Sequence, residues 1–271
     1  MKFENAPLIE LVAELRWGTP SVVPVHPVHP VPGVPLAHAH LLSEHDTMAN
    51  SFGRIVASAG YTLTERMFQG GGIQVPFQAT HRFRRSDITP GASLFSLGVG
   101  LFSANITPPY KTWESFRPVV ELGVDALLKS RIGDAVKQPF AVASLRYVNA
   151  FHSNLTQGKG ASEFLEMLGF RVSLPPSVNA KMDKSRPIKP MLLLSIPLAE
   201  NRVMHISTGD ATVNGQEAVL MDNVVTSKDV VAPTVEAVMA EFDSARMIIH
   251  DVFVNSTKPI EDLLSPIEEA E

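Results

Sequence analysis

Two arginines occupy matching places in two similar stretches, Leu15-Arg16-Trp17 near the start and Leu145-Arg146-Tyr147 near the middle. If the stretches are symmetry-related strands, the two guanidinium groups face one groove. Planar forks of that kind clamp a phosphate or a carboxylate. Glu10 and Glu14 share the first stretch and partly neutralise such a groove. The candidate ligand-binding set is therefore Glu10, Glu14, Arg16, Arg146, Tyr147 and Asn149. The structural alternative pairs each arginine with a glutamate, so that both only hold the sheet, and it is the favoured one.

Three further groups of residues invite chemistry. His26, His29, His38 and His40 lie in the proline-rich run from Thr19 to His40. Neutral imidazoles bind zinc, copper or nickel, but no carboxylate or cysteine is interleaved, and a docking arm or a surface insertion is preferred to a metal site. Arg82, Arg84 and Arg85 cluster at the end of an expected strand. They suit phosphate or nucleic acid, with a solvated strand end as the preferred alternative. Gln157-Gly158-Lys159-Gly160-Ala161-Ser162 approaches a phosphate loop, but Ser153 stands in place of its first glycine and Gly160 follows the lysine. It does not satisfy the nucleotide-binding pattern; its backbone retains the capacity to hold an anion.

Other chemistries are excluded by their missing residues. There is no cysteine, which removes disulfides, cysteine-ligated zinc and thiol nucleophiles together. Neither Gly-x-Ser-x-Gly nor His-Glu-x-x-His occurs. Gly98-x-Gly100 does not extend to a dinucleotide fingerprint, because Ser103 takes the third place. His250 follows Arg246 by one helical turn and Asp243 by two; a general base needs a carboxylate partner and a pocket, which the sequence does not establish. No cofactor is expected.

The elements that must position these groups follow from periodicity. Ile9, Leu11, Ala13, Leu15 and Trp17 alternate with Glu10, Glu14 and Arg16, which predicts a half-buried strand. The six prolines between Thr19 and His40 predict polyproline II or irregular loop. Leu41 to Gly60 predicts a helix, and Tyr61–Phe68 and Ile73–Arg84 predict two strands turning at Gln69-Gly70-Gly71-Gly72. Ala92–Asn105 predicts one strand with a small, smooth face at Ser96, Gly98 and Gly100. Thr112 predicts the cap of a helix that Pro118 kinks or truly starts.

The order then repeats. Phe140–Phe151 predicts a strand and Ser162–Leu168 a short helix closed by Gly169. Strand candidates are Phe170–Val178, Ile188–Pro197, Arg202–Thr208 and Gln216–Thr226, with a polar loop over Asn179–Lys189. Val230–Asn255 predicts the closing helix, with Pro233 in its first turn. The expected fold is α+β: two pseudo-repeated strand–helix–three-strand–helix units forming antiparallel sheet with helices on one side. The first unit covers 1–135 with a histidine- and proline-rich insertion at 19–40, the second 136–258, and an acidic tail follows at 259–271.

The chain of 271 residues is long enough to bury a core, and its net charge of -5 argues against non-specific nucleic-acid binding. No apolar run reaches about 18 residues, so no membrane span is expected. The acidic residues of MKFENAPLIE do not suit a signal peptide, which makes a cytoplasmic setting the expectation.

Four stretches together, APLIELVAELRW, LFSLGVGLFSANITPPYKTWESFRPVVE, SLRYVNAF and FDSARMIIHDVFVNSTKPIEDLL, resemble a sporadically distributed prokaryotic family of uncharacterised proteins of roughly this length. The matching positions are Pro7, Glu10, Asn105, Pro109, Tyr110, Trp113, Glu114, Phe116, Arg146, Tyr147, Asn149, His250 and Phe253. Ala104 departs from the pattern, where valine is usual, and the histidine–proline run looks like an insertion. The resemblance implies no activity; its patchy distribution implies a mobile-element or phage-defence setting. The expected function is a non-enzymatic adaptor or sensor subunit of a prokaryotic assembly, with a protein partner or a homo-oligomer. The alternative is an enzyme or binder acting on a phosphorylated small molecule or nucleotide between Arg16 and Arg146. Nucleic acid is the weakest partner, through Arg82, Arg84, Arg85 and the loop near Lys181–Lys189.

Overall fold

The computed structural model of the protein describes residues 2–18, 36–67, 76–87, 91–109 and 112–267. The run of elements opens with β1 (Lys2–Phe3), β2 (Leu8–Trp17) and α1 (Leu36–Ala57). Four strands follow: β3 (Leu63–Arg66), β4 (Ala79–Arg84), β5 (Leu94–Gly98) and β6 (Leu101–Ile106). Helix α2 (Trp113–Ser130) leads to β7 (Phe140–His152). Three short helices, α3 (Ser153–Thr156), α4 (Ala161–Met167) and α5 (Pro176–Asn179), precede β8 (Met191–Leu198), β9 (Arg202–Val213) and β10 (Gln216–Ser227). The chain closes with α6 (Val235–Ser256), α7 (Glu261–Leu264) and β11 (Pro266–Ile267).

Nine strands form one sheet in the order β3-β4-β5-β6-β2-β7-β10-β9-β8, and β1 pairs with β11 in a separate two-stranded ribbon. The pairs β3–β4, β4–β5, β5–β6 and β8–β9 are antiparallel. The protein is thus mixed α and β around a large sheet. No helix among the described residues is long and apolar enough to cross a membrane. The chain divides into two compact units: Val12–Ser144 with Ser227–Phe242, and Met1–Leu11 with Leu145–Thr226 and Asp243–Glu271.

The first of these units has an aromatic core. Phe52 of α1 lies 4.9 Å from Phe83 and 5.7 Å from Phe95, ring centre to ring centre. Edge and tilted ring contacts at this spacing add to the apolar area buried. Helix α2 is capped by Thr112, whose hydroxyl accepts from the Ser115 backbone N–H while the Ser115 hydroxyl returns the bond. The helix begins at Trp113 and continues across Pro118, so the proline does not mark its start. Gly123 lets α2 approach the sheet, because a Cβ there would stand 2.5 Å from the Phe95 ring.

The second unit is held by Phe151, 5.1 Å from Phe164, and by the Phe3–Phe253 edge contact at 5.9 Å. Strands β9 and β10 are joined by Asn214-Gly215, both in the left-handed region at φ 51° and 79°. Two successive residues of that kind make the tight turn whose twist matches a hairpin.

Several expectations are corrected. Ala92–Asn105 is a hairpin, β5 and β6, turning at Val99-Gly100. Gly100 sits at φ 72° with its missing Cβ 2.6 Å from the Trp17 carbonyl oxygen, so the glycine serves the turn. The first helix is therefore followed by four strands, where three were expected. Phe170–Val178 forms no strand; the Pro175-Pro176 pair breaks it and α5 begins there. Helix α1 starts at Leu36, inside the stretch expected to be loop. Pro233 stands before α6, whose first turn is bonded instead by the Thr234 hydroxyl accepting from Ala237 N–H. The glycine turn at 69–72, Tyr110, His26 and His29 lie outside the described residues, as do the side chains of His38 and His40 and the acidic tail from 268.

Candidate functional site

The sequence-predicted arginines are each engaged by a carboxylate. Arg16 donates from Nε to Glu14 Oε1 at 2.7 Å, and its guanidinium lies over the Phe77 ring. The i, i+2 spacing on β2 places both on the polar side of the strand. Arg146 of β7 forms a bidentate pair with Asp222 of β10, with Nε–Oδ1 at 2.9 Å and Nη2–Oδ2 at 2.6 Å. Glu10 and Tyr147 are half-buried. Asn149 is buried and its amide reaches the Met221 carbonyl at 3.5 Å.

Two members of the basic cluster are paired in the same way. Arg84 pairs with Glu65 at 3.3 Å, and Arg85 pairs with Asp87 at 3.0 Å while its guanidinium covers the Tyr61 ring. Arg82 faces Glu65 across the β3–β4 register. Among the described residues no group of three or more histidine, aspartate or glutamate side chains is arranged to hold a metal.

Two constellations escaped the sequence reading. His45 of α1 and His81 of β4 both point at the hydroxyl of Thr80, at 2.7 and 3.0 Å. The same hydroxyl lies 3.1 Å from the Leu97 carbonyl, to which it can donate, so it joins both imidazoles and the strand backbone in one network whose donors follow the imidazole tautomers. Asp46, whose two carboxylate oxygens both accept from Arg66 Nη2, stands 3.9 Å from His81 Nε2. Burial pushes the His45 imidazole down to about 4, with the neighbouring His81 acting in the same direction. Burial also lowers His81. The cluster is thus a neutral latch between α1 and the sheet at neutral pH. Thr80 is buried and its hydroxyl is held by three partners, so it is not placed to act as a nucleophile.

The other is Arg131, which lies buried between the rings of Trp17 and Phe140 at 5.2 and 4.9 Å and donates to the Gln138 carbonyl. Burial lowers its pKa to about 10, so it keeps its charge at neutral pH. The two aromatic faces supply the attraction that a carboxylate otherwise would.

Strand β8 differs from all of these. It stands at one end of the nine-strand order, and its sequence MLLLSIPL carries no charge. Met191 is 89% exposed and Leu193 77% exposed, on the same side of the strand. Leu192 and Leu194 on the other side are half-buried. Antiparallel pairing with β9, from Met191 opposite Gly209 to Leu198 opposite Arg202, fixes one edge of its backbone, and among the described residues no strand pairs with the other. Edge strands in natural proteins are normally blunted by charge, proline or shortness. Here only Pro197, near one end, does so.

No family model matches the chain, and neither a curated protein nor a solved structure does.

Proposed function

We propose that the protein is a non-enzymatic adaptor or sensor subunit of a cytoplasmic prokaryotic assembly, and that β8 receives an extended apolar segment of a different protein as an added strand. The observation that carries this is the long, uncharged, apolar β8 at the edge of the sheet. Backbone N–H and C=O groups along such an edge give affinity, and pockets or faces for alternate side chains give specificity. An incoming strand covers Met191 and Leu193, whose burial is worth roughly 2 kcal/mol each. A strand bearing charges gains no ion pair from MLLLSIPL, so the occupant is apolar.

A second copy of this chain fits less well. Proline in an edge strand turns its missing donor to the open side. Self-pairing brings Pro197 twice into one ladder, whereas a foreign strand meets it once. The resemblance to a patchily distributed prokaryotic family supports a mobile-element or defence setting. The repeat reading also belongs to this proposal. Its support is that the first strand of each half stands beside the last of its own half, β2 beside β6 and β7 beside β10.

Native mass spectrometry of the protein gently purified from its own host tests the proposal. The wild type carries a stoichiometric second protein. Leu193→Lys loses it, and Met247→Lys, a change at another exposed apolar residue on α6, keeps it. A partner that survives Leu193→Lys, a homodimer or a bare monomer overturns the assignment.

A further inference from the structure

The lysine of Gln157–Ser162 stands in a cavity. A space of about 570 Å³ opens between the turn at Ser153–Ala161, the segment Pro187–Lys189, and the facing stretches Asp210–Thr212 and Glu217–Val219 of the β9–β10 hairpin. All of these belong to one compact unit. The volume lies within the range of small-molecule sites. Gln157 and Gly158 take successive left-handed conformations, at φ 56° and 72°, which turn the chain out of α3 and carry Lys159 to the cavity.

Two features mark this as a place for an anion. Lys159 is half-buried and forms no ion pair among the described residues. That contrasts with the paired cations Arg16, Arg84, Arg85 and Arg146. The three ammonium N–H groups of Lys159 are therefore available to an acceptor in the cavity. Lys189 provides a second ammonium on the rim, held only loosely by Asp210 at 3.9 Å. In addition, a Cβ on either Gly158 or Gly160 would meet nothing within 4 Å, so no side chain crowds the backbone on either side of Lys159. Hydroxyls of Ser153, Thr156 and Thr212 line the same space.

The carboxylates narrow the ligand class. Asp210 and Glu217 balance the two lysines, so the lining has no net charge. A triphosphate would bring several negative charges against those acids. A single phosphate can sit on Lys159 while hydroxyl or amino donors elsewhere on the ligand meet a carboxylate. We infer that this cavity binds a small phosphate monoester of about nucleoside-monophosphate size, with its phosphate on Lys159 and its donor groups toward Asp210 and Glu217. The inference does not depend on the β8 proposal: its residues and its test are separate, and either can fail alone.

Titration calorimetry of the full chain at low salt, with AMP, ribose 5-phosphate, adenosine and ATP as probes, tests it. At least one of the two monoesters binds with a Kd below about 1 mM. Adenosine binds at least roughly tenfold more weakly than AMP, because the charge-assisted contact is missing. ATP is weaker than AMP. Lys159→Gln raises the monoester Kd by roughly tenfold or more, and Lys189→Gln by about threefold. Thermal unfolding of Lys159→Gln matches the wild type, since that lysine holds no ion pair. Binding of adenosine equal to that of AMP, an unchanged Kd in Lys159→Gln, or the absence of heat from both monoesters up to about 10 mM overturns the inference.

Discussion

The two ends of the sheet order solve the same physical problem in different ways. At one end, β3 is only four residues long, and its Glu65 and Arg66 are tied to Arg84 and Asp46. At the other, β8 is eight residues long, with leucine, methionine and isoleucine in six of the eight places and no charge. A short charged edge discourages added strands, and a long apolar one invites them. Behind β3 the packing is also specific: α1 is latched to the sheet by His45, Thr80 and His81, above the Phe52, Phe83 and Phe95 rings. The lesson is that a solvent-facing edge is informative when a second edge of the same sheet shows what protection looks like.

The largest expected effect would sharpen the protected end. His45 titrates near 4 in the folded protein and near its ordinary 6.5 when unfolded. Between those values the unfolded chain binds a proton that the folded one does not. Stability is therefore complete above about pH 6.5, falls as the pH drops toward 4, and levels off below. The loss is roughly 3 kcal/mol, with His81 adding in the same direction. Urea unfolding at several pH values measures it, and His45→Gln flattens most of the slope. A wild-type curve that is level from about pH 4 to 7 would show that the latch does not hold α1.

Thr80→Val comes next. It removes the one hydroxyl on which two imidazoles converge and leaves the ring nitrogens that face it buried without that partner. A cost of about 2–3 kcal/mol is expected, read from chemical unfolding at neutral pH. Thr80→Ser keeps the hydroxyl and should recover more than half of that loss. If valine and serine behave alike, packing rather than hydrogen bonding secures this end.

What was legible beforehand follows the same division. Strand β2 was readable because its alternation survives intact from Ile9 to Trp17, with charges on one side only. The cap at Thr112 was readable because capping is local. The latch was not, because His45 and Thr80 are 35 residues apart and only the fold brings them together. The hairpin at Val99-Gly100 was hidden by apolar residues that continue their alternation through the turn. Asn214-Gly215 was a signal of the β9–β10 turn in plain view. Strand β8 was placed well, but its exposure was not readable: an unbroken apolar run is what a strand buried on both faces also shows. Both candidate arginines were found in strands, but the carboxylate partner of Arg146, Asp222, comes from a strand far along the chain.

At the open end, Leu193→Lys is expected to change unfolding free energy by no more than about 0.5 kcal/mol, because the side chain is already in solvent. Its measurable consequence lies in association. The second protein that copurifies with the wild type should be lost from Leu193→Lys, while light scattering of the purified protein alone should be the same for both. A loss of stability of about 2 kcal/mol would instead mean that Leu193 is covered within the folded chain, and the contrast between the edges would disappear.

The smallest effect belongs to the ion pair that guards β3. Glu65→Gln removes the partner of Arg84 on a half-exposed surface. Screening by water and salt keeps such a pair to about 0.5 kcal/mol, so equilibrium unfolding should barely change. If charge is what protects this edge, the effect appears elsewhere: the Glu65→Gln protein should associate more readily than wild type, and more so when Arg66 is also changed to Gln. Four residues offer few ladder bonds, however, and Leu63 is the only large apolar side chain on the strand. The double variant should therefore associate only weakly, and adding Leu193→Lys isolates β3 as the edge responsible. If that triple variant stays monomeric, shortness alone suffices to protect β3, and the length of β8 matters more than its lack of charge.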